Sequence, residues 1–238
     1  MPVKKTVIAI MYDFDKTLSP KDMQEYSFIP QIGMQPKDFW AESNRLSSKM
    51  DSILAYMYLM IDKANANHTP IRRADFVKLG KDIEFFPGVA QWFSMINVFA
   101  KESGAKVEHY IISSGLKEII EGTEIAKAFK EIYACEFYYD QNDVAVWPQM
   151  AVNYTTKTQF LFRINKGVSD LSDNVTLNKY VPEDERRIPF RNMIYVGDGL
   201  TDVPCMKLVK TNGGKSIAVY PKGKKTKVAD LLRHGRVK

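Results

Sequence analysis

Residues 7–18 read VIAIMYDFDKTL, an apolar run that passes directly into two aspartates, Asp13 and Asp15. Consecutive apolar residues over this length are typical of a strand buried on both faces of a parallel sheet. Three further runs have the same character, namely residues 107–112, 193–196 and 216–220. Helix-like stretches at 116–129 and 158–165 lie between them, so the alternation predicts an α/β fold with a mainly parallel sheet.

The residues that follow the first three runs carry groups suited to chemistry. In chain order they are Asp13-Phe14-Asp15-Lys16-Thr17, Ser113-Ser114-Gly115 and Gly197-Asp198-Gly199-Leu200-Thr201-Asp202. Ligand sites in open α/β sheets lie beyond the carboxyl ends of the strands. The sequence therefore predicts that acidic, hydroxyl and glycine residues meet at one edge of the sheet.

The spacing of the carboxylates indicates a cation site. Asp13 and Asp15 would repel each other if both were ionised and unpaired, so they need a cation or a shared proton. Asp198 and Asp202 add two more carboxylates, and Mg²⁺ prefers hard oxygen ligands of this kind. A surface turn is the alternative interpretation of the Gly-Asp-Gly sequence around Asp198. Asp198 follows a buried strand and lies opposite another acidic strand end, and this placement favours its being a metal ligand.

Ser113 and Lys157 offer what a phosphoryl group requires. Phosphoryl oxygens need hydrogen-bond donors and positive charge around them. Ser113 supplies a hydroxyl at a strand end, and the backbone through Gly115 supplies amides. Lys157 precedes a predicted helix. A lysine in that place is usually a solvated surface charge, and it gains significance from the neighbouring motifs.

The segment from 19 to 86 interrupts the alternation of strands and helices, and we expect it to be largely helical. Apolar residues recur in it at helical spacing, namely Leu46, Met50, Ile53, Leu54, Met57, Met60 and Ile61. Phe86-Pro87-Gly88 then turns the chain back. The predicted organisation is a core formed by 1–18 and 87–238 with a helical cap at 19–86. Within that core we expect a β-hairpin at 133–154 and loops at 169–191.

Composition and charge limit the class of protein. The net charge is +6 and the isoelectric point about 9.1, with an excess of basic residues near the C-terminus. They are Lys222, Lys224, Lys225, Lys227, Arg233, Arg236 and Lys238. No aromatic residues interleave with them, which favours a solvated tail over a nucleic-acid site.

Cysteine usage and apolar run lengths predict a soluble cytoplasmic protein. Two cysteines, Cys135 and Cys205, cannot form a disulfide framework. The N-terminal residues 1–5 do not lead into a signal-peptide pattern. Elsewhere the longest apolar run, 53–61, is shorter than the roughly 20 residues that cross a bilayer. We therefore expect no membrane partner, and the sequence is silent on oligomeric state.

Together the motifs resemble those of the haloacid-dehalogenase-like hydrolase superfamily, and most closely its phosphoserine-phosphatase-like branch. The matching residues are Asp13-Phe14-Asp15-Lys16-Thr17-Leu18, Ile111-Ile112-Ser113-Ser114-Gly115, Lys157, and Gly197-Asp198-Gly199-Leu200-Thr201-Asp202. In that branch a helical cap lies between the first two motifs, as 19–86 does here. The resemblance implies a Rossmann-like three-layer α/β/α core with a parallel sheet.

The resemblance also implies roles. Asp13 would be the nucleophile that forms an aspartyl-phosphate, and Asp15 the general acid and base. Mg²⁺ would be held by the Asp13 carboxylate, the main-chain carbonyl of Asp15, and Asp198, while Asp202 would support its waters or pair with Lys157. The residues implied around the phosphoryl group are Phe14, Thr17, Ser113, Ser114, Gly115 and Lys157. These roles predict a phosphomonoester hydrolase acting on a small phosphorylated molecule.

Two alternatives stay open from the sequence. One is a phosphotransferase or mutase with the same aspartyl-phosphate, and the other is a binding protein that uses the fold without catalysis. The complete set of motif residues argues against the latter. A dehalogenase would have no use for Asp15, because a halide leaves without a proton.

Substrate identity is the least determined feature. Phosphoserine phosphatases place an acidic residue soon after the first motif and an arginine in the cap. Asp22 and Arg45 are possible counterparts here, and solvated cap residues are an equally good interpretation of both. Four aromatic residues suggest a cap surface for a bulkier or flatter substrate. They are Phe28, Trp40, Tyr56 and Tyr58.

Overall fold

The computed structural model describes residues 6–221, 223 and 226–235. Its strands are β1 (Thr6–Tyr12), β2 (Ala105–Leu116), β3 (Phe129–Tyr139), β4 (Ala145–Met150), β5 (Met193–Gly197) and β6 (Lys215–Ala218). Its α-helices are α1 (Phe28–Gln31), α2 (Pro36–Leu46), α3 (Ser52–Ala66), α4 (Arg73–Leu79), α5 (Val89–Glu102), α6 (Lys117–Glu121), α7 (Lys157–Lys166), α8 (Asn174–Asn178), α9 (Val203–Thr211) and α10 (Thr226–Arg233).

The six strands form one sheet in the order β4-β3-β2-β1-β5-β6. Every neighbouring pair is parallel except β3 and β4, which are antiparallel. The prediction of a Rossmann-like α/β/α core with a mainly parallel sheet is confirmed. In the register of the sheet, Tyr12 at the end of β1 pairs with Ile111 of β2 and Val196 of β5. The residues that follow these three positions therefore lie side by side.

Apolar packing fixes β1 in the centre of the sheet. Its residues Ala9 to Tyr12 are buried, as the continuous apolar run predicts. On one side α5 supplies Phe93, whose ring lies 5.7 Å from Tyr12 and 5.0 Å from Phe129, measured between ring centroids. The Tyr12 hydroxyl also lies 3.0 Å from the Nδ1 atom of His109. The strand end that carries Asp13 thus lies next to a buried aromatic cluster.

The second strand and the helix after it differ from the sequence prediction. β2 continues to Leu116, so Ser113-Ser114-Gly115 lie within its last residues, where the pairing with β3 shifts register. The predicted helix at 116–129 is wrong over most of its length, because α6 ends at Glu121 and β3 begins at Phe129. Helix α6 ends before Gly122, where the backbone of α4 lies close to the chain. A Cβ at Gly122 would lie 1.7 Å from the Val77 carbonyl oxygen.

The segment 19–86, called the cap segment below, contains α1 to α4. Its apolar run does not form one helix, as the spacing from Leu46 predicted, because α2 ends at Leu46 and α3 begins at Ser52. Asp51 causes the break by capping α3, since its side chain accepts hydrogen bonds from the backbone N–H groups of Ile53 and Leu54. The division into core and cap stays a prediction.

The remaining sequence predictions have mixed outcomes. The hairpin at 133–154 is confirmed as β3 and β4, and 169–191 contains α8 and short 3₁₀ turns. Cys135 and Cys205 are buried and are not joined to each other. Several basic residues of the predicted tail lie outside the described residues, namely Lys222, Lys224, Lys225, Arg236 and Lys238, as do residues 1–5. Of the helices in the described part of the chain, none is long and apolar enough to span a membrane.

Candidate active site

The ends of β1 and β5 bring together the carboxylates that the sequence predicts. The Asp13 N–H donates to the Val196 carbonyl at 2.9 Å, which holds the residue after β1 against the end of β5. Asp13, Asp198 and Asp202 each offer a carboxylate oxygen, and these atoms lie within 4.8 Å of one another. All three residues are buried. Carboxylates this close together need a compensating positive charge or a bound proton.

Lys157, the first residue of α7, supplies part of that charge. Its side chain is 1% exposed, and Nζ donates to Oδ1 of Asp13 at 2.9 Å and to Oδ1 of Asp202 at 2.8 Å. Burial alone would lower the pKa of the Lys157 ammonium, but the charges of Asp13 and Asp202 raise it well above its usual range. Lys157 is therefore charged in the folded protein and joins two of the predicted site residues.

Both carboxylate oxygens of Asp202 accept hydrogen bonds from protein groups. Besides Lys157, the Tyr195 hydroxyl donates to Oδ1 at 2.8 Å. Oδ2 accepts from the backbone N–H groups of Asp198 at 3.2 Å and Gly199 at 3.3 Å. Two roles are implied for Asp202, namely support of the metal's waters and pairing with Lys157. The contacts observed in the structure are those of the pairing with Lys157. Tyr195 was missed from the sequence, where it is one apolar residue of a buried strand.

The environment of Asp13 opposes its ionisation. Burial raises the pKa of Asp13, and the charges of Asp202 and Asp198 add to this effect. The contact with Lys157 acts in the opposite direction, and the resulting pKa is about 7. The site thus brings several carboxylates together at a position where a bound cation would stabilise their ionised forms.

Asp15 lies in an environment that favours its protonated form. Its Oδ1 accepts from the Met23 N–H at 2.8 Å. Burial, followed by the charges of Asp22 and Asp13, raises the pKa of Asp15 well above its usual range. Gly115 allows the close approach, because a Cβ there would lie 2.1 Å from Cε of Met23 and 2.9 Å from Oδ2 of Asp15. A protonated carboxyl in this place is able to donate a proton.

The residues predicted around the phosphoryl group fall into two sets. Ser113 and Ser114 line the same cavity as Asp13, and Oγ of Ser113 accepts from the Gly115 N–H at 3.0 Å. Phe14 and Thr17 are buried behind the site and are not among its lining residues. The Phe14 carbonyl accepts backbone bonds from 17–19, so these two residues shape the loop around Asp15.

A cavity of about 460 Å³ separates this site from the cap segment. Its core side includes Asp13, Asp15, Ser113, Lys157 and Asp198. Its cap side consists of Asp22, Gln24, Trp40, Ser43, Asn44, Ser47, Ser52, Ile53 and Tyr56. Gln24 was missed from the sequence, because no motif marks it.

Of the cap-segment residues considered above as possible substrate contacts, only some line the cavity. Asp22 lines it and pairs with Lys16 at 2.5 Å. Arg45 is exposed and is not among the described lining residues. Trp40 and Tyr56 line the cavity. Of the other predicted aromatic residues, Phe28 packs against Phe76, and Tyr58 is 49% exposed on the surface.

Comparisons with known proteins extend over most of the chain. An uncharacterized protein of Borreliella burgdorferi is 29% identical, in a match that covers 88% of this chain and 80% of the relative. The structure of a substrate-bound phosphoserine phosphatase complex has a TM-score of 0.60 at 15% identity, covering 99% of this chain and 100% of that one. A HAD-family hydrolase from Salmonella enterica serovar Typhi has a TM-score of 0.59 at 18% identity.

The Salmonella match covers 89% of this chain and 62% of that chain, so this chain spans less than two thirds of that protein. At identities of 15% and 18% the two structural likenesses show the fold alone. The sequence profile of haloacid dehalogenase-like hydrolases matches residues 10–207, from within β1 into α9. With the fold and this match along most of its length, the chain belongs to the haloacid dehalogenase-like hydrolase family.

Proposed function

We propose that the protein is a Mg²⁺-dependent phosphatase that hydrolyses a small phosphorylated molecule through an aspartyl-phosphate on Asp13. One observation carries the proposal. Lys157 binds the Asp13 carboxylate inside a cavity that also holds the Asp15 carboxyl and Asp198. A nucleophile, a proton donor and a cation for phosphoryl oxygens are thus present together.

The chemistry divides into two displacements. In the first, an Asp13 oxygen attacks phosphorus, the bond to the leaving oxygen breaks, and Asp15 gives that oxygen a proton. The raised pKa of Asp15 supports this role, because burial and the nearby carboxylates favour the protonated form that the step needs. In the second, the Asp15 carboxylate takes a proton from water as the water oxygen attacks phosphorus. The bond from phosphorus to Asp13 then breaks, and inorganic phosphate leaves.

Lys157 and Ser113 are suited to hold the phosphoryl oxygens. Lys157 Nζ lies 2.9 Å from the Asp13 oxygen, so its charge remains beside phosphorus during both steps. The Ser113 oxygen accepts from the Gly115 N–H, which directs the serine's own hydrogen elsewhere and leaves it able to donate. Phe14 and Thr17 would act through the loop that carries Asp15, consistent with their burial behind the cavity.

The donor set fits Mg²⁺. Three buried carboxylates, Asp13, Asp198 and Asp202, offer hard oxygen atoms within 4.8 Å of one another and face one ammonium, Lys157. Asp13, the Asp15 carbonyl and Asp198 would hold the ion, and Asp202 would support it while anchoring Lys157. Bound there, Mg²⁺ would neutralise charge on the phosphoryl oxygens. Asp13 would otherwise repel an anionic substrate.

Turnover of p-nitrophenyl phosphate tests the proposal. Asp13→Asn removes the nucleophile and should lower kcat by about 10³-fold or more, and EDTA should abolish wild-type turnover. Asp38→Asn, a matched change at an exposed residue of α2, should retain wild-type turnover. Undiminished turnover by Asp13→Asn, or in EDTA, would refute the mechanism. Added methanol separates hydrolysis from transfer, because a transferase would form methyl phosphate in place of inorganic phosphate.

A further inference from the structure

Helix α5 presents an apolar face to solvent. From Val89 to Ala100 the helix has no charged residue, and its buried residues are Phe93 and Ala100. Helices on the surface of soluble proteins normally carry charged or polar side chains on the face away from the core. Here three exposed apolar residues recur at spacings of three and four and therefore lie side by side. We call them the α5 face, and they are Trp92, Met95 and Phe99.

The α5 face has the size of a protein interface. Met95 is 65% exposed and Phe99 66% exposed, and Nε1 of Trp92 donates to the Tyr12 hydroxyl at 2.8 Å, which leaves its ring as apolar surface. With exposed Val98 and Ile217, these side chains offer on the order of 500 Å² of apolar surface to solvent. A homodimer interface of standard size buries about 800 Å² per protomer, of which about 65% is apolar. The exposed apolar area is therefore what one half of such an interface needs.

A groove of about 450 Å³ lies beside the N-terminal half of α5. Ser216 in the edge strand β6 faces α9, because its hydroxyl donates to the Met206 carbonyl at 2.8 Å. Successive strand residues point to opposite faces, so Ile217 points away from α9 into the groove. The groove is thus an uncovered part of the apolar sheet face. Most of its lining side chains are apolar, among them Leu18, Trp92, Met95, Val196, Ile217 and Val219.

Phe99 and the groove are complementary under a twofold rotation. Phe99 lies seven residues after Trp92, which places it about 10 Å further along the helix. When two copies of α5 pack antiparallel about Met95, the C-terminal half of each helix lies against the N-terminal half of the other. Phe99 of each copy then meets the groove beside Trp92 of the other. A twofold contact of this kind is self-complementary, because one rotation forms both insertions.

Charge favours a second copy over other partners. The net charge of the chain is +6, so two copies repel each other least when they meet through a face without charges. Helices that bind membrane surfaces are rich in lysine and arginine on their polar face, whereas Lys101 is the single basic residue of α5. A charged protein partner would find no opposite charge along the α5 face.

We infer that the protein forms a twofold homodimer through the α5 face, with Phe99 of each copy seated in the groove of the other. The described residues that line this groove are a different set from those that line the candidate active-site cavity. The dimer therefore leaves that cavity open, and the inference does not depend on the proposed phosphatase function.

Sedimentation velocity tests the inference. At about 100 µM protein, above the micromolar Kd of weak interfaces of this size, we expect a species of twice the chain mass of 27.3 kDa. Phe99→Glu should raise the Kd of the dimer about 100-fold or more, because the symmetric interface would desolvate the new charge twice. Val175→Glu, a matched change at an exposed apolar residue of α8, should leave the Kd at its wild-type value. A monomeric wild type would overturn the inference, as would Phe99→Glu that dimerises like the wild type.

The hairpin of β3 and β4 provides the competing interface. Tyr138 and Trp147 are cross-strand partners on it, and both are exposed. Trp147→Glu should therefore leave the dimer intact if α5 forms the interface. Dissociation by Trp147→Glu, with Phe99→Glu still dimeric, would assign the interface to the hairpin and overturn the inference.

A cysteine at position 95 tests the twofold arrangement directly. Met95 would lie next to the rotation axis, so the two thiols of Met95→Cys would be within reach of each other. Cys135 and Cys205 are buried and do not compete. We expect oxidation with diamide to join two chains of Met95→Cys and to leave Val175→Cys as single chains on a non-reducing gel. Single chains of Met95→Cys, or equal cross-linking of both variants, would refute the arrangement.

Discussion

Lys157→Met tests whether the buried ammonium holds the site together. The change keeps an unbranched side chain of similar length and removes the charge that joins Asp13 to Asp202. The Lys157 side chain is 1% exposed, and those of Asp13 and Asp202 are 8% and 0% exposed. Without Lys157, two carboxylates lose a charged donor at 2.9 Å and 2.8 Å while Asp198 remains beside them.

The expected cost is large compared with the stability of a domain. Removing one partner of a buried ion pair typically costs about 3–5 kcal/mol, because the remaining charge is desolvated and unpaired. Domains of this kind have unfolding free energies of about 5–15 kcal/mol. Mg²⁺ should restore part of the loss, since it would neutralise the same carboxylates. A ligand present at 100 times its Kd raises the free energy of unfolding by about 2.7 kcal/mol.

Urea unfolding followed by circular dichroism, in EDTA and in saturating Mg²⁺, measures both effects. Lys78→Met is the matched control, because Lys78 forms an exposed pair with Asp75 at 2.9 Å. Exposed pairs contribute at most about 1 kcal/mol. The reasoning is refuted if Lys157→Met costs no more than this control in EDTA, or if Mg²⁺ stabilises the variant no more than the wild type.

Two further predictions concern stability away from the site. Gly122→Ala should destabilise the fold by more than about 2 kcal/mol in urea unfolding, because the added Cβ would meet the Val77 carbonyl oxygen at 1.7 Å; a loss below about 0.5 kcal/mol would contradict this. Burial would raise the pKa of Glu108, but its bonds from Arg187, at 2.7 and 2.6 Å, and from Tyr110 and two lysines lower it to about 2. The stabilisation from Glu108 should therefore be complete above about pH 4.5 and lost as pH falls towards 2. We expect Glu108→Gln to cost about 2 kcal/mol at pH 7 and much less at pH 3, and equal costs at both pH values would refute the assignment.

Much of the fold and the site follows from local sequence. The apolar run at 7–12 specifies a doubly buried strand, and the acidic residues after it must then lie at a sheet edge. The same logic applies to Asp198, because it follows a second apolar run, at 193–196, that forms β5. Helix α7 and the hairpin of β3 and β4 are predictable for the same reason, because their signals are periodic or turn-specific.

What the sequence misses depends on contacts between distant residues. The helical pattern at 116–129 is interrupted because the backbone of α4 lies against Gly122, which no local window records. Lys157 has the sequence context of a surface lysine, and its charge is set by two carboxylates that are 144 and 45 residues away along the chain. Gln24 belongs to no motif, and its burial beside the cavity is visible only in the structure. The sequence by itself determined which chemical groups are available at the strand ends. The tertiary structure decided how deeply these groups are buried and which partners they have. Desolvation and pairing depend on atoms that folding brings together from distant parts of the chain.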